Sequence, residues 1–405
     1  MGIIVQKFGG TSVADTDKLF TVCKHIIKGY NAGNKMIVVV SAQGKTTDNL
    51  IAQEAEITDE PNKREHDVLV ATGEQITIAK LVMCLNKLGY EAVSFMGWQI
   101  PINTDSVHGE ARIKSIDTTK LLDNLDKNRI VVVAGFQGID KDGNITTLGR
   151  SGSDTTAVAL AAVLKADKCE IYTDVDGVFS ADPRVIPNAA KIETITYDEM
   201  LELASLGAKV LHNRCVEIGN NFNIPIIVKS TFREESRGTI VKYEKDLEDL
   251  YISGIAKMDD VSRITLLGID NKLAATYEIF KLLSENDINV DIIVQQSLYG
   301  DTNTKSNISF SVFTKDANKA INLLEQNSDK IKVEQIVHLD NLAKISVVGV
   351  GMANSPGVAS RMFEALSDNG INMHMISTSE IKISVLVSQK KADLAMNVVH
   401  DAFIK

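Results

Sequence analysis

Lys7-Phe8-Gly9-Gly10-Thr11-Ser12 follows directly on a short apolar run, Ile3-Ile4-Val5, and leads into helical sequence from about Asp15. Strand, cation, two glycines, two hydroxyls and then a helix is an order with a physical meaning. A chain that leaves a strand through a glycine pair and enters a helix turns several backbone N–H groups toward one point, a ready anion site. Lys7 sets a full positive charge beside it. The stretch is suited to hold something strongly negative, above all a phosphate. The plainer reading, a tight turn, stays open on these residues alone. A Walker loop is excluded, because the G-x-x-x-x-G-K-[ST] spacing is absent and the lysine precedes the glycines.

Outward from this opening, short apolar runs alternate with amphipathic stretches as far as about residue 240. Met36-Ile37-Val38-Val39-Val40, Ile130-Val131-Val132-Val133 and Ile224-Pro225-Ile226-Ile227-Val228 read as buried strands rich in β-branched residues. Residues 75–88 and 155–166 carry helical spacing between them. The alternation predicts an α/β fold with a mainly parallel central sheet flanked by helices. A charged stretch at 242–250 marks the domain junction. Beyond it lies an internal repeat: Gly268 aligns with Gly351, Phe280 with Phe363 and Asn289 with Asn372, each at an offset of 83 (351 − 268; 372 − 289). Each copy reads strand, glycine-containing turn, helix, polar turn and further strand. Two such copies predict a pair of ferredoxin-like α+β modules. Such a pair can regulate, or can be a packing unit that only holds subunits together.

Composition narrows the field further. At 405 residues the chain exceeds one ordinary core, and 44% hydrophobic with 24% charged residues is an ordinary soluble balance. A net charge of −10 without a basic patch argues against nucleic acid. Cys23, Cys84, Cys169 and Cys215 are scattered, with no C-x-x-C pair and no His at metal-ligand spacing. They read as small buried hydrophobes of a reducing compartment. No signal-peptide or myristoylation pattern is found, and no apolar run approaches membrane length, so a cytoplasmic location without a membrane partner is expected.

Four further segments carry chemistry. Ser41-Ala42-Gln43-Gly44-Lys45-Thr46-Thr47-Asp48 follows the 36–40 strand, and Ala71-Thr72-Gly73-Glu74 opens a helix. Glu74 there is either a first-turn acid that complements the helix dipole or a ligand for an amine. Gly149-Arg150-Ser151-Gly152-Ser153-Asp154 opens another helix, with an arginine whose planar fork suits a carboxylate or phosphate. Thr173-Asp174-Val175-Asp176-Gly177-Val178-Phe179-Ser180-Ala181-Asp182-Pro183-Arg184 follows the strand Glu170-Ile171-Tyr172. Each alone could be a cap or a turn. All five at strand-to-helix exits of one domain form a much stronger signal.

Together these segments resemble the aspartokinases of the amino-acid kinase family. Lys-Phe-Gly-Gly-Thr-Ser, Gly-Arg-x-Gly-Ser-Asp, Thr-Asp-Val-x-Gly-Val-Phe-x-x-Asp-Pro-Arg and Gly207-Ala208-Lys209-Val210-Leu211-His212 match in order and spacing, and the C-terminal repeat resembles paired ACT domains. The resemblance spans essentially the whole chain. It implies a kinase domain at 1–245 and two ACT-like modules at 255–335 and 340–405, intertwined. With no homoserine dehydrogenase extension after the second repeat, the monofunctional enzyme is expected. The implied reaction is attack of the aspartate β-carboxylate on the γ-phosphate of ATP, giving aspartyl phosphate and ADP. A carboxylate with pKa near ~3.9 is already ionised at neutral pH, so no general base is needed and none of the motifs needs a histidine. His212 reads as a packed polar residue.

The resemblance also implies roles. Lys7, Asp154 and Lys209 would be the catalytic group, with Gly9 and Gly10 on the transferring phosphate and Asp154 organising the lysines. Magnesium would be held mainly by the nucleotide phosphates, with no metal site of the protein's own. Ser41, Thr173, Asp174, Phe179, Asp182, Arg184, Lys7 and Lys209 would line the nucleotide site, Phe179 being alternatively a core aromatic. Thr47 (or Thr46), Glu74, Arg150, Gly152 and Ser153 would bind aspartate, Arg150 at the α-carboxylate and Glu74 at the α-ammonium. The repeat would bind an amino-acid effector, lysine, with threonine as an open alternative or addition, and would pair chains into a homodimer or a dimer of dimers. The candidate effector residues are Ile269, Asp270, Ala274, Ala275, Val290, Asp291 and Gln296. The first copy departs from the family: Asp270-Asn271-Lys272-Leu273-Ala274-Ala275 lacks the usual Pro-Gly that Pro356-Gly357 supplies in the second. Two rivals remain, a kinase of the same fold acting on glutamate or carbamate, and a sensor built on a dead kinase domain. The sensor predicts losses at Lys7, Asp154 or Lys209, and none is lost.

Overall fold

The computed structural model describes residues 2–206, 210–233, 235–243, 251–270, 273–297, 305–350, 352 and 357–404. The chain divides into two compact units, one of Met1–Phe179 with Lys191–Leu247, the other of Ser180–Ala190 with Glu248–Lys405.

The first unit is built on an eight-stranded sheet. In spatial order its strands are Thr194–Thr196, Thr239–Lys242, Ile226–Ser230, Lys168–Thr173, Ile3–Phe8, Lys35–Val40, Ile130–Ala134 and Ala92–Phe95. Every adjacent pair is parallel except Ile226–Ser230 with Thr239–Lys242. The inner strands are buried on both faces, which is why Met36–Val40 and Ile130–Ala134 are continuous apolar runs rather than alternating ones. Helix Thr16–Asn31 starts at Asp15, whose carboxylate accepts the Lys18 N–H at 2.9 Å, and sets Leu19, Val22, Cys23 and Ile26 into the core. Helix Thr72–Lys87 adds Ile78, Leu81 and Leu85 to the same core. The stretch Lys63–Lys87 does reach the length and apolarity of a membrane span, contrary to the sequence reading, but 44% of its window is buried inside the protein and it is two helices, Lys63–Val70 and Thr72–Lys87. Helix Gly152–Val163 is buried from Gly152 through Ala162, which accounts for its apolar composition on all sides. It begins three residues before the 155–166 periodicity, and Gly152 at its start packs where a Cβ would meet Phe136 Cδ2 at 2.8 Å. A small sheet (Ile113–Ile116, Ile102–Thr104, Gln137–Ile139, Ile145–Thr147) completes the unit.

The second unit is one antiparallel sheet of six strands, in the order Ile293–Ser297, Lys305–Phe313, Tyr251–Asp270, Gln335–Val350, Lys382–Ser388 and Met375–Thr378. The two repeats contribute three strands each and pair through their long first strands. Each keeps its own core, around Ile264, Ile279 and Phe310 in the first copy and Ile345, Met362 and Val385 in the second. By helix starts the offset is 85 for the first helices (Val358 against Leu273) and 78 for the second (Ala392 against Thr314), so the first copy carries extra residues in between. Segment Ser180–Ala190, inside the 1–245 range that the sequence assigns to the kinase domain, belongs to this unit: Ala181 and Ile186 lie in the core of the second copy, and Ser180 Oγ lies 3.1 Å from Nε2 of the buried His400.

Candidate active site

Four strand exits are stitched together at the centre of the large sheet. Gly9 N–H donates to the Tyr172 carbonyl (3.2 Å), Ser41 N–H to Phe8 (3.1 Å), Gly44 N–H to Gly10 (2.9 Å) and Gly135 N–H to Val40 (3.1 Å). The central strand Ile3–Phe8 is followed in sequence by its neighbour on one side, while the strand on its other side comes much later. This is the switch point where open parallel sheets bind ligands beyond their carboxyl ends. The glycines allow the loops to touch. A Cβ on Gly10 would lie 2.8 Å from the Ala42 carbonyl oxygen, and one on Gly135 would lie 2.6 Å from Ser153 Cβ. The turn after Gly9 differs from the expected helix start: Gly10–Val13 forms one short 3-10 turn, and the Gly9 N–H is already used by Tyr172, leaving fewer amides for an anion.

Lys7 is the penultimate residue of the central strand and Asp154 sits in the first turn of helix Gly152–Val163, with Lys7 Nζ 2.6 Å from Asp154 Oδ1. Their side chains are only 10% and 9% exposed, so this is a buried ion pair. Such pairs are weak sources of stability but expensive to break, roughly 3–5 kcal/mol when one partner is removed. A cation kept at this cost beside a glycine turn is suited to a ligand with negative charge.

Glu74, in the first turn of Thr72–Lys87, is 3% exposed. Its Oε1 accepts the Ala42 N–H at 2.9 Å, while Oε2 is buried with no partner among the described residues. Burial pushes its pKa up to about 7, against the lowering effect of the Ala42 bond. Of the two sequence readings, the amine ligand fits this environment: a dipole-complementing acid would be exposed, whereas an ammonium placed here would satisfy the orphan oxygen. Ala42 joins the two halves of the site, with its N–H on Glu74 and its carbonyl against Gly10.

The other candidates fall around this pair. Gly152 and Ser153 are buried, and Arg150 is exposed with no partner among the described residues. Thr46 Oγ1 donates to the Gln43 carbonyl at 2.6 Å within its turn, and Thr47 is half-buried. Ser41 is half-buried at its strand exit. Thr173 is half-buried and donates to the exposed Asp174 (3.1 Å), and Phe179 is half-buried and bridges to Lys191. Asp182 and Arg184 fall in the second unit, where Arg184 Nη2 donates to Asp182 Oδ2 at 2.6 Å. That bond holds the Asp182 carboxyl below its usual range. Lys209 lies outside the described residues. His212 is exposed rather than packed, and its Nδ1 accepts the Arg214 N–H (3.4 Å) as the cap of helix Asn213–Phe222.

Of the effector candidates in the second unit, Ile269 is buried, Ala275 and Val290 pack against the first copy's core, Gln296 is exposed, and Asp291 is engaged by the buried Lys344. Asp270 ends strand Tyr251–Asp270 and Ala274 lies in helix Leu273–Ser284. Lys272 and Asn354-Ser355-Pro356 lie outside the described residues.

The sequence reading missed two features. Asp67, fully buried, binds His108 and Thr147 across some 40 and 80 residues of chain, a pairing with no local signal. Beside Thr173–Phe179 lies a cavity of about 660 Å³ whose lining joins Asp176 of that segment to Lys191, Arg233 and Arg237 from two other stretches of chain.

A buried cation at a glycine turn, at the switch point of a parallel sheet, is an arrangement suited to a phosphate-bearing ligand. The profile of the amino acid kinase family matches residues 2–230, and an ACT domain profile matches residues 345–403. Aspartokinase 2 of Bacillus subtilis (strain 168) is 50% identical over 404 residues, covering 100% of this chain and 98% of its own. The aspartokinase of Pseudomonas aeruginosa is 47% identical over 406 residues, covering 100% and 98%. Aspartokinase III of E. coli, solved in complex with aspartate and ADP, matches at 25% identity with a TM-score of 0.81 and full coverage of both chains. The chain belongs to the aspartokinase family of amino acid kinases. Its activity is ATP-dependent phosphorylation of aspartate.

Proposed function

We propose that the chain transfers the γ-phosphate of ATP to the β-carboxylate of L-aspartate, giving 4-phospho-L-aspartate and ADP, as the first step toward lysine, threonine and methionine, under feedback inhibition by lysine. The observation that carries the residue assignment is Glu74, a buried carboxylate with one unsatisfied oxygen, one residue's span from the Lys7 turn. It offers a counter-charge to an α-ammonium, and Arg150 offers a fork to the α-carboxylate. Gly152, Ser153 and Thr47 complete the aspartate side. The β-carboxylate is then directed to the phosphate at Lys7, Gly9 and Gly10. Two anions must approach, so the transfer depends on positioning and neutralisation. Lys7, held by Asp154, and Lys209 supply positive charge; Ser41, Thr173, Asp174 and Phe179 line the nucleotide. Magnesium adds further charge neutralisation when bound and is held mainly by the nucleotide phosphates. Among the described residues no three His, Cys, Asp or Glu side chains gather to hold a metal on their own.

In the second unit, the edge strand Ile293–Ser297 leaves Ile293 and Val294 exposed, which supports assembly of a homodimer, or a dimer of dimers, through the ACT domains. The buried, unbridged cysteines accord with a reducing, cytoplasmic setting. A coupled ADP assay with aspartate and glutamate, each with and without lysine and threonine, tests the reading. Turnover with aspartate alone, lowered by millimolar lysine, is expected. Turnover with glutamate overturns the substrate assignment, and inhibition by threonine but not lysine overturns the effector assignment.

A further inference from the structure

Arg150 makes no side-chain hydrogen bond or ion pair among the described residues, so its place is set there by its backbone. That backbone is unusual: Gly149 (φ 78°) and Ser151 (φ 55°) on either side are both left-handed. A non-glycine residue held there costs on the order of 1–3 kcal/mol and persists only when its surroundings fix it. The surroundings form a closed set of bonds. Leu148 N–H donates to Phe136 (2.8 Å), and Arg214 donates through Nη1 to the Leu148 carbonyl (2.9 Å) and through Nη2 to the Ala111 carbonyl (2.5 Å). A Cβ on Gly149 would lie 3.0 Å from the Gly109 carbonyl oxygen, so the 107–111 loop lies directly against it.

That second loop is fastened to Asp67, which is wholly buried on helix Lys63–Val70. Gly109 N–H donates to both of its carboxylate oxygens (3.1 and 3.2 Å), His108 Nδ1 lies 2.7 Å from Oδ2, and Thr147 Oγ1 donates to Oδ1 at 2.5 Å. Ala111 N–H closes the ring on the Thr147 carbonyl at 2.9 Å. A carboxylate taken fully out of water is a poor way to stabilise a core, since apolar residues of the same volume do as well or better. It is a good way to fix two loops in one geometry, because each oxygen demands its donors.

We propose that Asp67, acting through His108 and Gly109, and Arg214 are positioning residues that hold Arg150 where it meets the aspartate carboxylate. This rests on the assignment of Arg150 to that carboxylate. The test measures KM for aspartate, KM for ATP, kcat and melting temperature for Asp67→Asn, His108→Gln and Arg214→Lys, with Arg150→Lys alongside. Asp67→Asn and Arg214→Lys are expected to raise the aspartate KM by about five- to tenfold, while kcat and the ATP KM stay within about twofold. His108→Gln, which keeps an N–H donor, stays nearer wild type than His108→Ala. His108 is partly exposed, so its variants report even where Asp67→Asn fails to fold. An unchanged aspartate KM in Arg214→Lys, in His108→Ala and in any folded Asp67→Asn, with Arg150→Lys raised, overturns the inference alone. So does a parallel rise in both KM values. An unchanged aspartate KM in Arg150→Lys overturns the assignment beneath it.

Discussion

Aspartate binding to the unliganded enzyme should release a proton at pH 6, and that proton should come from Glu74. Its pKa is about 7 in the folded chain against an ordinary 4.5, because burial disfavours the charged form. At pH 6 such a group is about nine-tenths protonated, and at pH 8 about one-tenth. An ammonium brought to its orphan oxygen favours the ionised form, so binding expels about 0.9 proton at pH 6 and about 0.1 at pH 8, and affinity improves about tenfold over that range. The same shift acts on stability. The folded state keeps a proton that the unfolded chain loses above pH 4.5, so this group's contribution is fully present below 4.5 and lost as pH rises through 7, about 3 kcal/mol in all. Isothermal calorimetry at both pH values, in two buffers of different ionisation enthalpy, counts the protons; chemical denaturation at pH 4.5 and pH 8 reads the stability. Glu74→Gln should abolish the release, weaken aspartate binding and flatten the stability profile. Aspartate binding at pH 6 without proton release, or undiminished affinity in Glu74→Gln, would refute the reasoning.

Three further outcomes follow from the same geometry. Lys7→Ala should lower kcat by about 10²–10³ while changing the aspartate KM little, because the lysine meets charge that develops during transfer; steady-state kinetics check it, and retention of half the kcat removes Lys7 from this role. Gly10→Ala sets a Cβ 2.8 Å from the Ala42 backbone oxygen, which cannot swing aside, so the two loops part and kcat/KM falls by roughly 10² with the fold retained by circular dichroism. Glu170 is the opposite case to Glu74: burial alone would raise its pKa, but Lys229, Lys168 and Gln6 outweigh it and hold it at about 2. Its contribution is present above pH 4.5 and lost as pH falls through 2, so Glu170→Gln should be destabilised at pH 7 and nearly level with wild type below pH 2 in denaturant titrations.

The parallel α/β layering and the strand exits that carry the candidate residues were legible because their signals are local. Continuous β-branched runs mark strands buried on both faces, and glycine with hydroxyl clusters mark their exits. Lys7, Asp154 and Glu74 each sit beside such a mark, and the structure brings their loops together. What escaped depends on distant partners. Nothing at 60–70 announces that Asp67 is sealed against His108 and Thr147. Ser180–Ala190 follows Phe179 without any break in composition, yet its apolar Ala181 and Ile186 find their core with the second repeat. The use of the Gly9 amide by Tyr172 is equally invisible, since it arises from parallel pairing across 163 residues of sequence (172 − 9). The offset between helix starts changes from 85 to 78 where one copy is longer, which alignment of a few landmark residues does not reveal.

The central claim is that aspartate, gripped at its α-groups by Glu74 and Arg150, presents its β-carboxylate to a phosphate held at Lys7. Trapping the product with hydroxylamine tests it most directly, because an acyl phosphate is converted to the hydroxamate of the carboxyl that was phosphorylated. With ATP, magnesium and aspartate, the account predicts the β-hydroxamate in step with ADP, and almost none from Lys7→Ala. ADP release without hydroxamate, or formation of the α-hydroxamate, would contradict it.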